Sequence, residues 1–419
     1  MKPGYKQTEV GVIPEDWEVK PLGDVIKLQG GYSFRSENFS DIGTPVIRIS
    51  DIQGGVVNVD NAICHPTFKI NEDFVVKNGD LLVAMSGATT GKVGVFRSQK
   101  PAYQNQRVGR FVVRDENRTS PGFIGQLVGS VQFGSQLRAL LEQGAQPNIS
   151  GKQIESLAFP MPNDLPEQRA IAEALSDVDG LLGGLDRLIA KKRDLKQAAM
   201  QQLLTGQTRL PGFHGEWEVK TLFDLAGRKK ELFDDGDWIE SEHIKTEGIR
   251  LIQTGNIGVG SFIEKGDKKY INEASFSSLR CKQLMRGDLL VCRLAEPAGR
   301  CCVLPDIGEE RVVTSVDVTI FRPPQELADR RFLCQVFSTQ DWFKTVSDRS
   351  GGTTHKRISR GALGRLSINL PKVPEQTAIA QILTDMDAEL TALEQRREKT
   401  LALKQAMMQE LLTGRTRLL

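Results

Sequence analysis

The feature that most constrains this chain is a long internal repeat. Residues 166–210 recur as residues 374–418 at a constant offset of 208 positions, without a gap, and 25 of the 45 aligned residues are identical. Shorter matches keep the same order: Trp-Glu-Val-Lys at 17–20 returns at 217–220, and Gly-Asp-Leu-Leu-Val at 79–83 returns at 287–291. Ordinary composition does not produce such agreement by chance. The sequence therefore indicates an internal duplication, in which the two copies share the same framework motifs and differ in the stretches between them.

Length and composition predict a globular protein of more than one domain. With 419 residues, of which 39% are hydrophobic and 26% charged, the chain is long enough for two domains that each bury a core. The first residues lack the apolar core of a signal peptide and no run of 18 apolar residues occurs, so we expect a cytoplasmic protein without a membrane segment. The six cysteines lack paired spacing, and we expect them to be reduced and to hold no metal.

The repeated segment has the apolar spacing of a coiled coil, with alternating steps of four and three residues. The predicted seam consists of Ile171, Leu175, Val178, Leu182 and Leu185 in the first copy and of Ile379, Leu383, Met386, Leu390 and Leu393 in the second. Beyond residue 190 we expect the seam to move by one position, to Leu195, Ala199 and Leu203 and to Leu403, Met407 and Leu411. Pro-Glu-Gln begins each predicted helix, and Gly206 or Gly414 ends it.

Two such helices in one chain can pack on each other. We expect an antiparallel pair with a pseudo-twofold internal repeat, although a surface helix packed on its own domain is the alternative. A helix of about 40 residues is about 60 Å long, which matches roughly 17 base pairs of DNA. Gly180, Gly183 and Gly184 occur only in the first copy, where we expect a kink or a close backbone approach.

The expected fold class is α+β, with two globular α/β domains in tandem joined by two long helices that form an antiparallel coiled coil. We expect the first globular domain over residues 1–163 and the central spacer helix over 164–206. The second globular domain is expected over 207–371 and the C-terminal spacer helix over 372–419.

Local charge is more informative than the net charge of +2. Residues 92–118 contain seven basic and two acidic residues, and residues 344–365 contain six basic and one acidic. Such blocks are commonly solvated faces, but these lie in the divergent stretches, beside side chains that can bind bases. Asn and Gln match adenine, and Arg matches guanine. The candidates are Gln104, Asn105, Gln106 and Arg107 in the first half and Thr353, Thr354, His355, Lys356 and Arg357 in the second.

The chain lacks a recognisable catalytic motif. The segment ending in Gly91 and Lys92 differs from a Walker A loop, because Ser86 replaces the first glycine and Val93 follows the lysine where Ser or Thr is needed. No dinucleotide-binding loop, GxSxG or HExxH occurs, and the four histidines lie far apart. We expect no catalytic residue, no metal and no cofactor on this chain.

The motifs together resemble the specificity subunit of type I restriction-modification systems. In the first half the resemblance rests on WEVKPLGDV, NGDLLVAMSGATTGKVGV, GAQPNIS, LPEQRAIAEALSDVD and LLTGQTRL. In the second half it rests on WEVKTLFDL, RGDLLVCRLAEPAGRCCV, THKRIS, VPEQTAIAQILTDMD and LLTGRTRL. It covers essentially the whole chain, and the doubled frame makes it specific.

The resemblance implies two target recognition domains that bind the two parts of a bipartite asymmetric site in double-stranded DNA. It implies that two methyltransferase subunits and restriction/translocase subunits are partners, and that S-adenosylmethionine, ATP and Mg bind to those partners. It also implies a basic contact at Lys92 and Arg300, to which we add Arg293. A turn that closes a strand pair is the alternative for Gly91 and Gly299, and a turn is also the alternative for Gln146-Pro147-Asn148.

A different class of function is a scaffold that binds proteins, with two recognition domains on a coiled-coil spacer and no DNA. The two hypotheses differ in salt dependence, because binding to DNA through several phosphates weakens steeply as salt rises.

Overall fold

The chain folds into two compact units. The computed structural model describes residues 3–67, 70–142, 148–294, 296–352 and 356–418. One unit comprises Met1–Asp186 and Arg396–Leu419, and the other comprises Arg187–Gln395. Each unit therefore contains one globular domain and part of both long helices. The candidate residues Gln146, Pro147, Thr353, Thr354 and His355 lie outside the described residues.

The first unit is built on two sheets. Its strands are β1 Tyr5–Thr8, β2 Gly11–Pro14, β3 Trp17–Pro21, β4 Ile26–Gly30, β5 Thr44–Ile47, β6 Ile52–Gln53, β7 Gly55–Val57, β8 Cys64–His65, β9 Val75–Val76, β10 Leu81–Ala84, β11 Val93–Phe96, β12 Ala102–Gln104, β13 Val108–Val113 and β14 Ala158–Pro162. Its helices are α1 Leu22–Val25, α2 Pro121–Val128, α3 Val131–Glu142, α4 Gly151–Glu155 and the first part of α5, which spans Leu165–Leu203. The larger sheet has the order β4-β13-β10-β11-β7-β6 and the smaller β8-β5-β12-β9. Two further pairs, β1-β2 and β14-β3, complete the domain.

The second unit repeats this plan. Its strands are β15 Glu218–Thr221, β16 Phe233–Asp235, β17 Ile244–Lys245, β18 Ile249–Ile252, β19 Lys269–Ile271, β20 Leu289–Cys292, β21 Cys301–Val303, β22 Val312–Thr314, β23 Val318–Phe321 and β24 Ser367–Leu370. Its helices are α6 Leu222–Leu225, α7 Glu273–Ser278, α8 Arg330–Val336, α9 Gln340–Ser347, α10 Arg360–Gly364 and most of α11, which spans Val373–Leu411. The sheets have the orders β16-β23-β20-β21 and β17-β19-β18-β22, with β15-β24 beside them. The order β16-β23-β20-β21 corresponds to β4-β13-β10-β11 in the first unit.

The repeated Gly-Asp-Leu-Leu-Val sequence forms the same turn and strand in both domains. The Asp80 carboxylate accepts the backbone N–H of Lys77 at 2.7 Å, and the Asp288 carboxylate accepts that of Met285 at 2.8 Å. The glycine before each aspartate has a positive φ, +94° and +86°, which favours glycine. The aspartate closes the turn, and the apolar residues after it enter the core as β10 and β20.

The two long helices run antiparallel within each unit. In the first unit Lys404 pairs with Asp179, Nζ to Oδ1 2.7 Å, and Arg397 pairs with Asp186. Residue numbers rise along one helix as they fall along the other. The second unit has the equivalent pairs Lys196 with Asp387 and Lys192 with Glu389. The predicted fold class, with its internal repeat and antiparallel helices, is confirmed.

Along each long helix the seam residues keep one spacing. Every predicted seam residue up to Leu185 in the first copy and up to Leu393 in the second copy is buried or half-buried. Beyond position 190, the spacing continues through Lys192, Lys196, Ala199 and Leu203, whereas Leu195 is 47% exposed. The second copy continues through Arg397, Thr400, Lys404, Met407 and Leu411, and Leu403 is 56% exposed. The predicted move to Leu195 and Leu403 is wrong, because long basic side chains occupy the seam with their stems packed and their charged ends on carboxylates.

The glycines of α5 do not mark a close backbone approach at the two positions where the space around them is known. A Cβ added at Gly180 or at Gly184 would meet nothing within 4 Å. The expectation of a close approach at these two positions is therefore wrong, and α5 is continuous from Leu165 to Leu203.

The end of each long helix packs into the core of one globular domain. Leu203 and Leu204 belong to the core of the second domain, and Leu411 and Leu412 belong to the core of the first. All four are less than 10% exposed. Each helix therefore contributes its last turn to a domain core, and this explains why Leu-Leu-Thr-Gly recurs unchanged.

An arginine after each helix forms an ion pair with the glutamate of the repeated Pro-Glu-Gln motif. In the first unit Arg417 donates to Glu167, which is 1% exposed, and to both carboxylate oxygens of Asp16 at 2.9 Å. In the second unit Arg209 donates twice to Glu375 at 2.6 Å. We call each arginine and its glutamate a tail clamp. The two tail clamps account for two of the motifs that are identical in the repeat.

Candidate nucleic-acid interface

Three segments of the first domain meet at one place. The backbone N–H of Met85, which follows β10, donates to the carbonyl oxygen of Arg107 at 2.9 Å. The N–H of Ile149 donates to the carbonyl oxygen of Met85 at 2.9 Å, and Ser86 forms a β-bridge with Asn148. We call residues 85–92, 105–107 and 148–150 the first junction.

The second domain builds the same place from corresponding segments. The N–H of Arg293, which follows β20, donates to the carbonyl oxygen of Asp317 at 2.8 Å. The N–H of Ile358 donates to the carbonyl oxygen of Arg293 at 3.0 Å, and Leu294 forms a β-bridge with Arg357. We call the described residues of 293–300, 315–317 and 356–359 the second junction. Every described candidate DNA-binding residue lies on one of the two junctions or directly beside it.

The turn interpretation of Gly91 and Gly299 is confirmed. Gly91 has φ +85° and donates to the carbonyl oxygen of Ala84, between the antiparallel strands β10 and β11. Gly299 has φ +89° and donates to the carbonyl oxygen of Cys292, between β20 and β21. The backbone angle favours glycine, and a Cβ at Gly91 would also lie 2.4 Å from the Leu137 side chain, which would have to move.

The first junction presents polar and basic side chains to solvent. Lys92, Gln106 and Arg107 are exposed, and their side chains have no hydrogen-bond or ion-pair partner among the residues that the structure describes. Asn105 is half-buried, and its side-chain oxygen accepts the N–H of Arg107 at 3.3 Å. The turn is held by its own backbone and by the Asn105 side chain. The long side chains of Gln106 and Arg107 are therefore free to bind a ligand.

Gln104 has a different place from its neighbours. Its side chain is completely buried at the end of β12, and its Nε2 donates to the carbonyl oxygens of Gln29 and Val108, both at 2.8 Å. A side chain enclosed in this way cannot reach a base edge while the sheet is intact. Gln104 therefore joins the strands of the first domain, and we remove it from the DNA-binding candidates.

Arg293 is also enclosed by its own domain. It is 3% exposed, lies 3.0 Å from the Asp235 carboxylate, and donates to the carbonyl oxygens of Ile358 and Val316. Burial raises the pKa of Asp235 and lowers the pKa of Arg293, with their mutual attraction opposing both shifts. The pair ties β16 to the second junction, and Arg293 cannot contact DNA from this position.

Arg300 uses all three guanidinium nitrogens within the second domain. Its Nε donates to Ile257, its Nη1 to Leu294 and Pro297, and its Nη2 to Thr254, all at backbone oxygens between 2.8 and 3.1 Å. Lys92, at the matching turn of the first domain, is exposed and has no such partners in the described ranges. The basic residue is thus shared in sequence, but in the second domain it joins its own loop to the segment of Thr254 and Ile257.

Lys356 and Arg357 are the exposed candidates of the second junction. Lys356 Nζ donates to the Ser347 hydroxyl at 3.1 Å. Arg357 lies 2.8 Å from the carboxylate of Asp317, Nη2 to Oδ1, and its side chain is 46% exposed. The sequence prediction missed Asp317, which occupies the place that Arg107 has in the first domain. The signal was available, since each residue lies three positions beyond the end of the preceding strand, β12 or β22.

The described residues hold no group of three or more His, Cys, Asp or Glu side chains that could bind a metal ion. In the same ranges, no helix has the length and apolar character needed to span a membrane.

A domain plan that occurs twice, with a corresponding polar junction in each copy, is that of a protein with two recognition modules. The chain belongs to the family of the type I restriction modification DNA specificity domain, whose sequence model matches residues 14–189 and 214–403. The family resemblance is therefore confirmed for both halves.

Curated relatives share the whole chain or half of it. Over 99% of its length the chain is 25% identical to the putative type I restriction enzyme MjaX specificity subunit of Methanocaldococcus jannaschii, of which 96% is covered. It is 23% identical to the EcoKI specificity subunit of Escherichia coli K12, with 96% of this chain and 89% of that subunit covered. A match to the MjaVIII specificity subunit of M. jannaschii, 31% identical, spans 49% of each chain.

A solved structure supports the fold. The S subunit of a type I restriction-modification system from M. genitalium superposes with a TM-score of 0.62 at 17% identity, covering 98% of this chain and 99% of that one. At this identity the likeness concerns the fold alone.

Proposed function

We propose that this chain is the sequence-specific DNA-recognition subunit of a type I restriction-modification complex. Each of its two domains binds one part of a bipartite, asymmetric DNA site. The single observation that carries the proposal is the family match to both halves. The two junctions also support it, because they share a backbone arrangement but carry different side chains. Two domains that bind different half-sites need the same fold with two different contact surfaces.

The partners in this proposal are other subunits of the system. Two methyltransferase subunits dock on the spacer helices and adjoining surfaces, and restriction/translocase subunits join that core. S-adenosylmethionine, ATP and Mg belong to those subunits. The 25 of 45 residues that the two helical segments share support two equivalent docking sites, since a surface that binds the same partner twice keeps the residues that bind it.

The chain itself recognises DNA and performs no chemistry. Lys92 and Lys356 fix the register on phosphates, while polar and guanidinium groups on the junctions contact base edges in a groove. The partner methyltransferase then extrudes the target adenine, because the atom to be methylated is inaccessible in the stacked duplex.

Long-read detection of methylated adenines tests the proposal directly. Cells that carry this protein and its partner subunits should show a two-part methylated motif, and deletion of this gene alone should abolish it. A motif that persists unchanged after deletion contradicts the proposal.

Two substitutions in the first junction test the separate roles of its free side chains. Arg107→Ala should relax the preference at one base pair, by about five- to 150-fold in discrimination. Lys92→Ala should weaken binding to all sequences about equally. Competition binding with duplexes substituted at single positions measures both effects, and equal outcomes for the two variants would remove these roles.

A further inference from the structure

Each junction presents one exposed arginine, but from different segments. In the first junction the arginine is Arg107, on the turn between β12 and β13. The corresponding turn of the second junction has Asp317 instead, as the backbone shows: Met85 donates to the carbonyl of Arg107, and Arg293 donates to that of Asp317. The exposed arginine of the second junction is Arg357, on the third segment.

We propose that Arg357 binds a guanine in the half-site of the second domain and that Asp317 is the residue that positions it. This inference rests on the proposed DNA-binding function and adds the residue pair that determines specificity in one domain.

The first argument is that Arg357 is fixed at both ends. Its backbone exchanges two hydrogen bonds with Gly351, at 2.9 and 3.0 Å, and forms a β-bridge with Leu294. Its guanidinium is held by the Asp317 carboxylate at 2.8 Å. A long side chain normally loses much rotamer freedom on binding, and this anchoring has already removed part of that freedom.

The second argument concerns which donors remain. An arginine has five N–H donors in a planar fork. The ion pair with Asp317 is made through Nη2 of Arg357, and the side chain is 46% exposed. Guanine presents its O6 and N7 acceptors side by side in the major groove, which matches two parallel N–H donors. Even when one Nη2 hydrogen is taken up by Asp317, the guanidinium keeps an edge with two parallel N–H donors, which is the pattern that guanine requires.

The third argument is that the other cations of the second junction do not offer this pattern. Arg293 is buried, and Arg300 is bonded to backbone oxygens of its own domain through all three nitrogens. Lys356 is exposed, but an ammonium is a point donor that suits phosphate and lacks a fork. Among the described residues of this junction, Arg357 alone has an exposed guanidinium.

The experiment uses the full-length protein with its partner methyltransferase. Wild type, Arg357→Ala, Asp317→Asn and the neighbouring control Lys356→Ala are compared by long-read methylation mapping and by competition with duplexes substituted at each motif position. Arg357→Ala should lose about five- to 150-fold discrimination at one G·C pair in one part of the motif. Asp317→Asn should weaken discrimination at that same pair, and Lys356→Ala should lower affinity without changing the motif.

A conservative variant separates recognition from folding. Arg357→Lys keeps the charge but loses the fork, so it should show the same positional loss as Arg357→Ala while its unfolding midpoint stays close to that of wild type. Full discrimination in either variant, or a loss spread evenly over all positions, overturns the role of Arg357. Unchanged discrimination in Asp317→Asn overturns the positioning role. If wild type itself gives no two-part motif, the proposed function fails before this inference is reached.

Discussion

At the scale of single residues, burial decides which polar side chains can bind and which ones hold the fold. Gln104 and Gln106 are two positions apart, yet the first is enclosed at a strand end and the second is exposed on the turn. Arg293 and Arg357 differ in the same way. The residue type determines which donors and acceptors a side chain has. The position of the residue relative to the strand end determines whether that side chain is enclosed or faces solvent.

Substitution of Gln104 tests this division. Gln104→Ala removes two hydrogen bonds to buried carbonyl oxygens, so we expect the free energy of unfolding to fall by about 1–3 kcal/mol. Gln106→Ala, on the exposed turn, should change it by less than about 0.5 kcal/mol. Urea unfolding followed by circular dichroism measures both, and equal stability of the two variants would place Gln104 at the surface.

Thiol reactivity is a second test at this scale. All six cysteines are free. Burial raises the pKa of Cys281 to about 11, so only about one thiol in a thousand is ionised at pH 8. Alkylation of Cys281 in the folded protein should therefore be slow at pH 8 and should accelerate about tenfold per pH unit up to its pKa. Timed alkylation with peptide mass spectrometry checks this, and a rate independent of pH would contradict it.

At the scale of elements, the seam between the long helices combines apolar and basic positions in one register. Lys192 and Lys196 continue the spacing set by Leu185 and Ile189, and each reaches a carboxylate of the facing helix. The apolar pattern in the sequence predicts the first half of each seam. It misplaces the next position at Leu195, because a lysine stem packs as an apolar residue although the sequence marks it as charged.

Two leucines of α11 test the corrected register. Leu411 is 4% exposed, and Leu411→Ala should lower the free energy of unfolding of the first unit by about 2–4 kcal/mol. Leu403 is 56% exposed, and Leu403→Ala should have an effect of less than about 0.5 kcal/mol. Thermal unfolding of both variants provides the comparison. Comparable losses of stability in the two variants would support the predicted seam through Leu403.

The tail clamp of the first unit offers a matched pair of arginines. Arg417→Ala leaves the buried Glu167 carboxylate without its cation, and we expect a loss of about 2–3 kcal/mol. The loss stays below that of a fully buried pair, because the Arg417 side chain is 31% exposed and Trp17 still donates to Glu167 at 3.1 Å.

Arg415→Ala is the control for the tail clamp. Arg415 is 56% exposed and lies 3.7 Å from Glu410, so its removal should cost less than about 0.5 kcal/mol. Denaturant unfolding distinguishes the two variants, and equal losses would show that the tail contributes through its backbone alone.

At the scale of the whole molecule, the internal repeat predicts nearly all of the architecture. Identical motifs predict identical structural roles, as the Pro-Glu-Gln glutamates and the arginines after each helix show. The contact surfaces are less predictable, because the repeat aligns the frame but not the divergent turns. Asp317 corresponds to Arg107 in space, and only the equal distance from the preceding strand marks the correspondence, because the two turns share no motif.

Salt dependence separates the DNA-binding function from a protein scaffold. If the two domains together contact six or more phosphates, affinity for the target duplex should fall by about a thousandfold or more between 50 and 200 mM salt. Lys92→Ala should reduce the slope of log affinity against log salt by about one. Titration of the complex with its methyltransferase partner measures this. A flat response would favour the scaffold.

The division of the chain between the units also sets an order of events during synthesis. The second unit is one continuous stretch, Arg187–Gln395, whereas the first needs Arg396–Leu419 in addition to Met1–Asp186. The ribosome makes this stretch only after the whole of the second unit. Residues Leu411 and Leu412 of the first core are therefore absent while the second unit is being synthesised. The domain that is made first is completed last, and the second domain can fold while the first still awaits its final helix turn.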